Sequence, residues 1–276
     1  KLFNEIKNKI LKALPDIKSV NIEYSLGVTN MKNAQKESVI PDVKNTIAIA
    51  SGKGGVGKST IAVNLAAALV KQGAKVGLIE ADIYGPSIPL MLGVTSKPGI
   101  IQQKGRNLLV PIEQYGIKLM SIGFLIEGNE AVVWRGPMAS SAVKQFLSDT
   151  LWGKLDFLLF DMPPGTGDIQ LTLSQTIPLT GAVIVTTPQE IALSDARKGQ
   201  KMFEKVNVPT LGVIENMSFY QKENGEKEYI FGKGGGEKMC KETGVKLLGE
   251  IPINMEIRIK GDEGYPIVLS EPESES

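Results

Sequence analysis

The sequence predicts an α/β protein built on a doubly wound, mostly parallel sheet with helices on both faces. Two observations predict it. Short runs rich in Val, Ile and Leu recur between helical stretches without polar alternation, and a glycine-rich loop joins the first of these runs to a helix. A run that is apolar at successive positions suits a strand covered on both faces, as strands of parallel sheets are. With 276 residues and 42% apolar content, the chain can bury one such domain with a small appendage.

Taken in order, Leu2, Ile6, Ile10, Leu11 and Leu14 recur at helical spacing, and Ser19 to Tyr24 alternates as a strand does. Residues 27–42 are polar, carry Lys32, Lys36 and Glu37 and end on Pro41-Asp42, which reads as a linker. The main domain is expected over 43–270, with strands at 46–50, 76–79, 155–160, 182–187 and 210–214. A helix is expected over 58–71, with Ile61, Leu65, Ala68 and Leu69 marking its inward face. Residues 99–123 are short-patterned and rich in turns, 225–236 are heavy in glycine, and 271–276 form an acidic tail expected to fray. The order of strands in the sheet does not follow from the pattern.

Net charge is +1 with both signs dispersed, so no general electrostatic case exists for nucleic acid or for an anionic membrane. The chain has one cysteine, Cys240, and no histidine, which excludes a disulfide framework and a zinc site of its own. No stretch reaches the roughly 18 apolar residues of a spanning helix, and the first residues lack the apolar core of a signal peptide. A cytoplasmic setting is the expectation.

Gly52-Lys-Gly-Gly-Val-Gly-Lys-Ser59 follows one expected strand and opens the helix at 58–71, the context a phosphate-binding loop requires. Glycines let backbone N–H groups converge where side chains would intrude, and the helix N-terminus adds favourable partial charge. Gly52, Lys53, Gly54, Gly55, Val56 and Gly57 form the cradle, and Lys58 is placed to reach the β and γ phosphates of ATP. Ser59 offers a hydroxyl to Mg2+ and Thr60 lies at the α phosphate. A second lysine, Lys53, directly follows the first glycine; inside the loop it points away from its own phosphates, or it is a solvated loop residue.

Leu155-Asp-Phe-Leu-Leu-Phe-Asp161 is an apolar strand ending in an acid, followed by Met162-Pro-Pro-Gly-Thr-Gly-Asp168. Asp161 is placed to hold Mg2+ through a water, and the Pro/Gly segment after it is built to respond to the γ phosphate. Leu78-Ile-Glu-Ala-Asp82 ends a second strand beside the loop Ile83 to Pro89. Asp82 is a candidate for water activation with Glu80 a weaker polar neighbour, a turn-initiating Asp being the competing reading. Glu215-Asn-Met-Ser218 follows a further strand, where the Asn216 amide either meets an adenine edge or closes a local Asx turn.

Lys53-Gly-Gly-Val-Gly-Lys58 resembles the deviant P-loop family that includes MinD, ParA, ArsA and the nitrogenase iron protein. That resemblance implies a homodimer in which Lys53 crosses to the partner's nucleotide as an arginine finger does, with Asp82 orienting the attacking water and Asn216 reading the base. Lys53, Lys58 and Asp82 become the implied catalytic set.

Several stretches resemble the Mrp/ApbC branch: Asp82 to Pro89, Arg135-Gly-Pro-Met138, Asp161 to Asp168, Glu215 to Ser218, Phe231-Gly-Lys-Gly-Gly-Gly236 and Gly249-Glu-Ile-Pro252. Residues 1–26 look like the tail of a small MIP18-like N-terminal domain. The branch consists of dimeric, ATP-dependent iron–sulfur cluster carriers, which implies ATP hydrolysis and cluster handling here.

One departure stands out. The branch usually carries Cys-x-x-Cys shortly after Glu-Asn-Met-Ser, and here that stretch reads Phe219-Tyr-Gln-Lys-Glu-Asn-Gly225. A cubane cluster needs about four thiolates, and two copies of Cys240 supply two. Cys240 also falls in an expected helix, Gly236 to Glu242, where a buried structural thiol is the simpler reading. Cluster handling then calls for a cysteine-bearing assembly or client protein. An ATP-switched positioning protein of the MinD kind is the alternative, although the tail Ser270 to Ser276 offers neither an amphipathic helix nor a basic surface. A metabolic kinase would need an acceptor site, for which the sequence shows no signature.

Overall fold

A computed structural model describes residues 2–14, 17–20, 27–31, 39–83, 85–103, 105–125 and 136–270. The expected N-terminal helix is α1 (Leu2–Ala13), ending one residue before Leu14. Most of the expected strand at 19–24, with Tyr84, Arg135 and the acidic tail, lies outside the described residues. Thr29 and Met31 of the expected linker are docked on the main domain: Asn45 donates to the Thr29 carbonyl at 2.9 Å and accepts from Met31 N–H at 3.3 Å.

The main domain opens with β1 (Val43–Ala50), α2 (Lys58–Lys71), β2 (Val76–Glu80) and a single turn, α3 (Ile88–Met91). The turn-rich stretch resolves into β3 (Gly99–Gln103), β4 (Arg106–Val110), β5 (Ile112–Gln114) and β6 (Ile117–Ser121). There follow α4 (Gly136–Asp149), β7 (Leu155–Asp161), α5 (Asp168–Thr176), β8 (Gly181–Thr186), α6 (Glu190–Lys205), β9 (Thr210–Gln221) and β10 (Lys227–Glu228). The described chain closes with α7 (Gly235–Thr243), β11 (Leu247–Ile253), α8 (Met255–Asp262) and α9 (Ile267–Ser270).

The main sheet runs β10-β9-β8-β1-β7-β2-β6-β5, with β11 also paired to β9. From β9 to β6 every pairing is parallel; β5 and β10 join antiparallel at the two ends, and β3 and β4 form a separate hairpin. Successive residues of the central strands feed opposite faces. Ala48, Ala50, Ile79, Leu158 and Phe160 pack with α4–α6 residues such as Phe146, Leu173 and Phe203. Ile49, Leu78 and Leu159 instead pack with Ile61, Val63 and Ala66 of α2. This two-sided burial is the physical reason the strand sequences show no polar alternation.

The inward face of α2 differs from the expected one. Ile61, Ala62, Val63, Ala66 and Ala67 are buried, while Leu65, Ala68 and Leu69 are half-buried. Small residues face the sheet, which lets the helix pack closely, and the larger leucines fill the flank. Strand β9 also runs past its expected end at 214, because Glu215, Asn216 and Ser218 find buried polar partners instead of leaving the sheet. Among the described residues no helix is long and apolar enough to cross a membrane.

Candidate nucleotide site

The site lies at the carboxyl ends of β1, β7 and β2, adjacent strands in the sheet, where open α/β sheets gather ligands. The loop after β1 rises to Gly57, left-handed at φ 82°, and turns into α2, whose first turn carries no side-chain cap. Its leading N–H groups are therefore left to a ligand. A side chain at Gly54 or Gly55 would meet nothing within 4 Å, so the cradle is open on that side. Gly52 is closed on the other: a Cβ there would lie 2.2 Å from the Asp195 carbonyl carbon of α6.

Lys58 is buried and points to two carboxylates. Its ammonium lies 2.8 Å from Asp161 Oδ1 and 3.4 Å from Asp82 Oδ2. The Ser59 hydroxyl donates to Asp161 Oδ2 at 2.6 Å. Burial pushes the Asp161 carboxyl upward, and Lys58 and then Ser59 oppose that push. The donor set fits the groups a phosphate loop holds: uncapped helix amides and an ammonium for phosphate, and an adjoining hydroxyl and carboxylate, hard oxygen ligands, for Mg2+. Asp161 is the last residue of β7, as expected, whereas Asp82 stands two residues past β2, which ends at Glu80.

Lys53 is half-buried at the loop, its carbonyl accepting from the Ser51 hydroxyl at 2.9 Å. Among the described residues its ammonium has no hydrogen bond or ion pair. Thr60 follows in the first turn of α2 and, with Gly57, borders a cavity of about 650 Å3. Asn216 reaches the same cavity from within β9 rather than after a strand. Its amide donates to the Val56 carbonyl at 2.8 Å, a contact 160 residues away in sequence. Phe231, Pro252 and Ile253 supply apolar walls a planar base can lie against.

Two buried acids carry more than their sequence positions suggest. Glu80 is fully buried; its Oε1 accepts from Ser87 N–H at 2.6 Å and Ile88 N–H at 2.8 Å, and the Ser121 hydroxyl donates to Oε2. Burial pushes its carboxyl up to about 7, against the pull of those three donors. Glu215, also fully buried, accepts from the Ser218 hydroxyl and the Gly236 N–H, tying β9 to the first turn of α7. The readable signal for both is an acid closing a run of buried aliphatics, which requires a local partner.

Cys240 lies in α7 against Leu193 and Met239, 7% exposed, and burial followed by the Glu215 charge pushes its thiol upward. The stretch at 219–225 turns from β9 into the β10 hairpin. Lys222 pairs there with Glu226 and Glu228, and Lys227 sits 3.8 Å over the Phe219 ring. Among the described residues no group of three or more His, Cys, Asp or Glu side chains could hold a metal ion.

A parallel sheet with a glycine loop between its central strand and a helix, a buried lysine and a strand-end aspartate define a P-loop nucleotide-binding protein. The family model described as "ParA: NUBPL iron-transfer P-loop NTPase" matches residues 42–276, and the chain belongs to that family. It is 51% identical to the iron-sulfur cluster carrier protein of Escherichia coli K12 over an alignment of 277 residues, covering 99% of this chain and 74% of that relative. It is 49% identical over 271 residues to the carrier of the same name from Synechocystis, covering 97% and 77%. The nucleotide-binding protein of Archaeoglobus fulgidus, solved in complex with ADP, superposes with a TM-score of 0.75 at 36% identity, over 89% of this chain and 95% of that one. The cell division ATPase MinD of Pyrococcus furiosus shares the fold, with a TM-score of 0.60 at 23% identity over 84% and 92%.

Proposed function

We propose that this chain binds ATP with Mg2+ at Gly52–Thr60, hydrolyses it as a homodimer, and drives iron–sulfur cluster transfer together with a cysteine-bearing protein. The placement of the Lys58 ammonium between Asp161 and Asp82, with Ser59 on the same Asp161, carries the reading. Lys58 binds the β and γ phosphates, and the uncapped amides of α2 hold them in line. Ser59 and Asp161 would hold the magnesium ion, which neutralises phosphate charge when bound. Asp82 accepts a hydrogen bond from the attacking water and aims its oxygen at the γ phosphorus; the bond from phosphorus to the bridging oxygen breaks as the new bond forms. Lys53 of the partner subunit stabilises the charge that develops on that bridging oxygen. Asn216 holds its amide fixed on Val56 and presents its carbonyl to the adenine edge.

The relatives named as cluster carriers, together with the family model, support the cargo. That the one cysteine is a buried thiol supports placing the cluster's thiolate ligands on another protein. The same picture makes the chain a cytoplasmic ATPase domain over 43–270. Lys53→Ala tests the core of the reading: ATP turnover should fall by about 10³-fold or more while ATP affinity stays within about threefold. Unchanged turnover would sink it.

A further inference from the structure

One carboxylate has no part in that chemistry, yet it is among the most elaborately bound groups in the molecule. Glu80 closes β2, and seven residues later the same chain returns to it through the N–H groups of Ser87 and Ile88. The segment between carries Asp82. The second carboxylate oxygen takes the hydroxyl of Ser121 at the end of β6, and that hydroxyl oxygen in turn accepts from Gly123 N–H at 2.9 Å. Pro86 packs against the same turn so closely that a Cβ at Gly123 would lie 3.0 Å from the proline ring. One side chain thus pins both ends of the loop that bears Asp82 and fastens the loop to the neighbouring strand. Asp82 stands 3.4 Å from Lys58 at the near end of this closed segment.

We infer that Glu80 is a positioning residue for ATP hydrolysis, holding the Asp82 loop closed so that the Asp82 carboxylate stays at the mouth of the phosphate loop, where the attacking water must be oriented. The inference rests on the reading of the site given above. Glu80 touches neither nucleotide nor water; it acts through Asp82, and a misplacement of about 1 Å at a catalytic group costs on the order of 10²-fold in rate. A carboxylate is suited to the task because one oxygen can accept two backbone donors while the other accepts a hydroxyl. Glutamine preserves the first of these functions and can donate to Ser121 in place of accepting from it, whereas alanine abolishes both.

The test compares wild type, Glu80→Gln, Glu80→Ala and Ser121→Ala in steady-state ATP hydrolysis, with affinity from titration of a fluorescent ATP analogue. Glu80→Ala should lower kcat by about tenfold or more with affinity within about threefold, and Glu80→Gln should recover kcat to within about threefold of wild type. Ser121→Ala, which deletes one donor and leaves the aliphatic packing of β2 intact, should lower kcat by about two- to fivefold, and it answers the question if Glu80→Ala does not fold. Equal losses of affinity and turnover in Glu80→Ala, a glutamine variant no better than alanine, or an unchanged kcat in Ser121→Ala would each overturn the inference. A wild-type chain that binds ATP without turning it over overturns the parent reading and this one with it. A wild type that hydrolyses ATP beside an unimpaired Glu80→Ala overturns this one alone.

Discussion

Two glycines of the same loop should fail in opposite ways when replaced. A methyl group on Gly52 would sit 2.2 Å from the carbonyl carbon of Asp195, 2.4 Å from its oxygen and 2.6 Å from the Ala196 nitrogen. Ordinary carbon contacts lie at about 3.5–4.0 Å, so α6 must retreat from the loop by about 1 Å. The atoms struck are backbone atoms of a helix, α6, which Arg197 also ties to Glu242 of α7, so no flexible side chain can yield. Overpacking of this kind costs about 1–3 kcal/mol, and the upper end applies here. At about 2–4 °C per kcal/mol for a domain of this size, Gly52→Ala should melt about 6–12 °C below wild type. A methyl group on Gly54 meets nothing within 4 Å, so Gly54→Ala should melt within about 2 °C of wild type. It would occupy the cradle instead and weaken ATP binding by about tenfold or more. Thermal unfolding at one scan rate, with ATP titration of each folded variant, separates the two. A Gly52→Ala protein as stable as wild type would refute the close approach of α6, and a Gly54→Ala protein with full ATP affinity would refute the open cradle.

The remaining predictions concern charge and sulfur. Lys44 and the Lys75 N–H hold the Asp156 carboxyl below its usual range, so its contribution to stability is present above about pH 4 and is lost as pH falls through its lowered folded value. Asp156→Asn should therefore cost about 1 kcal/mol at pH 7, the half-exposed Lys44 limiting the figure, and the gap in urea midpoint should close on acidification; a gap that widens below pH 4 contradicts the pairing. Cys240 should resist thiol reagents in the native state at pH 8 and react fully in denaturant, because its thiolate is disfavoured and its sulfur covered; a native protein that releases one equivalent at once contradicts this. Anaerobic reconstitution of the chain alone with iron and sulfide should leave it colourless while ATP turnover persists, and a brown product overturns the assignment of the cluster's thiolates to a partner.

The fold was legible because burial on both faces leaves a direct trace in composition. The five expected strands, the helix at 58–71 and the helix around Cys240 all appear, and the strands were readable because each is a short, mostly apolar run. Strands β6 and β11 were hidden. The first is short and lies in a turn-rich stretch, and the second alternates half-buried with exposed residues at the rim of the sheet. The order of strands was hidden for a different reason: which strand lies beside β1 depends on how helices share the two faces, and no local pattern records that. Within the site, Lys58, Ser59 and Asp161 were readable because strand, loop and helix fix them in register. Glu80 reads in the sequence only as a weaker polar neighbour, and Glu215 carries no role there, because their partners are backbone amides and serine hydroxyls brought in by the fold, which leave no sequence signature.

The register of the sheet ties these observations together. Glu80 and Asp161 are opposed residues on β2 and β7, so the fold sets two buried carboxylates side by side at the ends of neighbouring strands. Two carboxylates so placed raise one another's pKa unless donors or cations offset the charge of each. Glu80 is compensated by two backbone donors at the far end of the loop that carries Asp82 and by the Ser121 hydroxyl at the end of β6, and Asp161 by Lys58 and Ser59. The two arrangements differ in what a ligand can disturb. The donors of Glu80 are backbone and strand-end groups, which stay where the fold puts them. Lys58 is a long side chain shared between Asp161 and Asp82, and on the proposed reading it must swing its charge toward phosphate. Asp161 would then be left buried with only the Ser59 hydroxyl on it, and breaking a buried pair costs about 3–5 kcal/mol. A cation at Ser59 and Asp161 makes up that loss. Triphosphate and divalent cation should for this reason bind as a pair, each weakly without the other, and the energy that couples them is the energy of the Lys58–Asp161 pair.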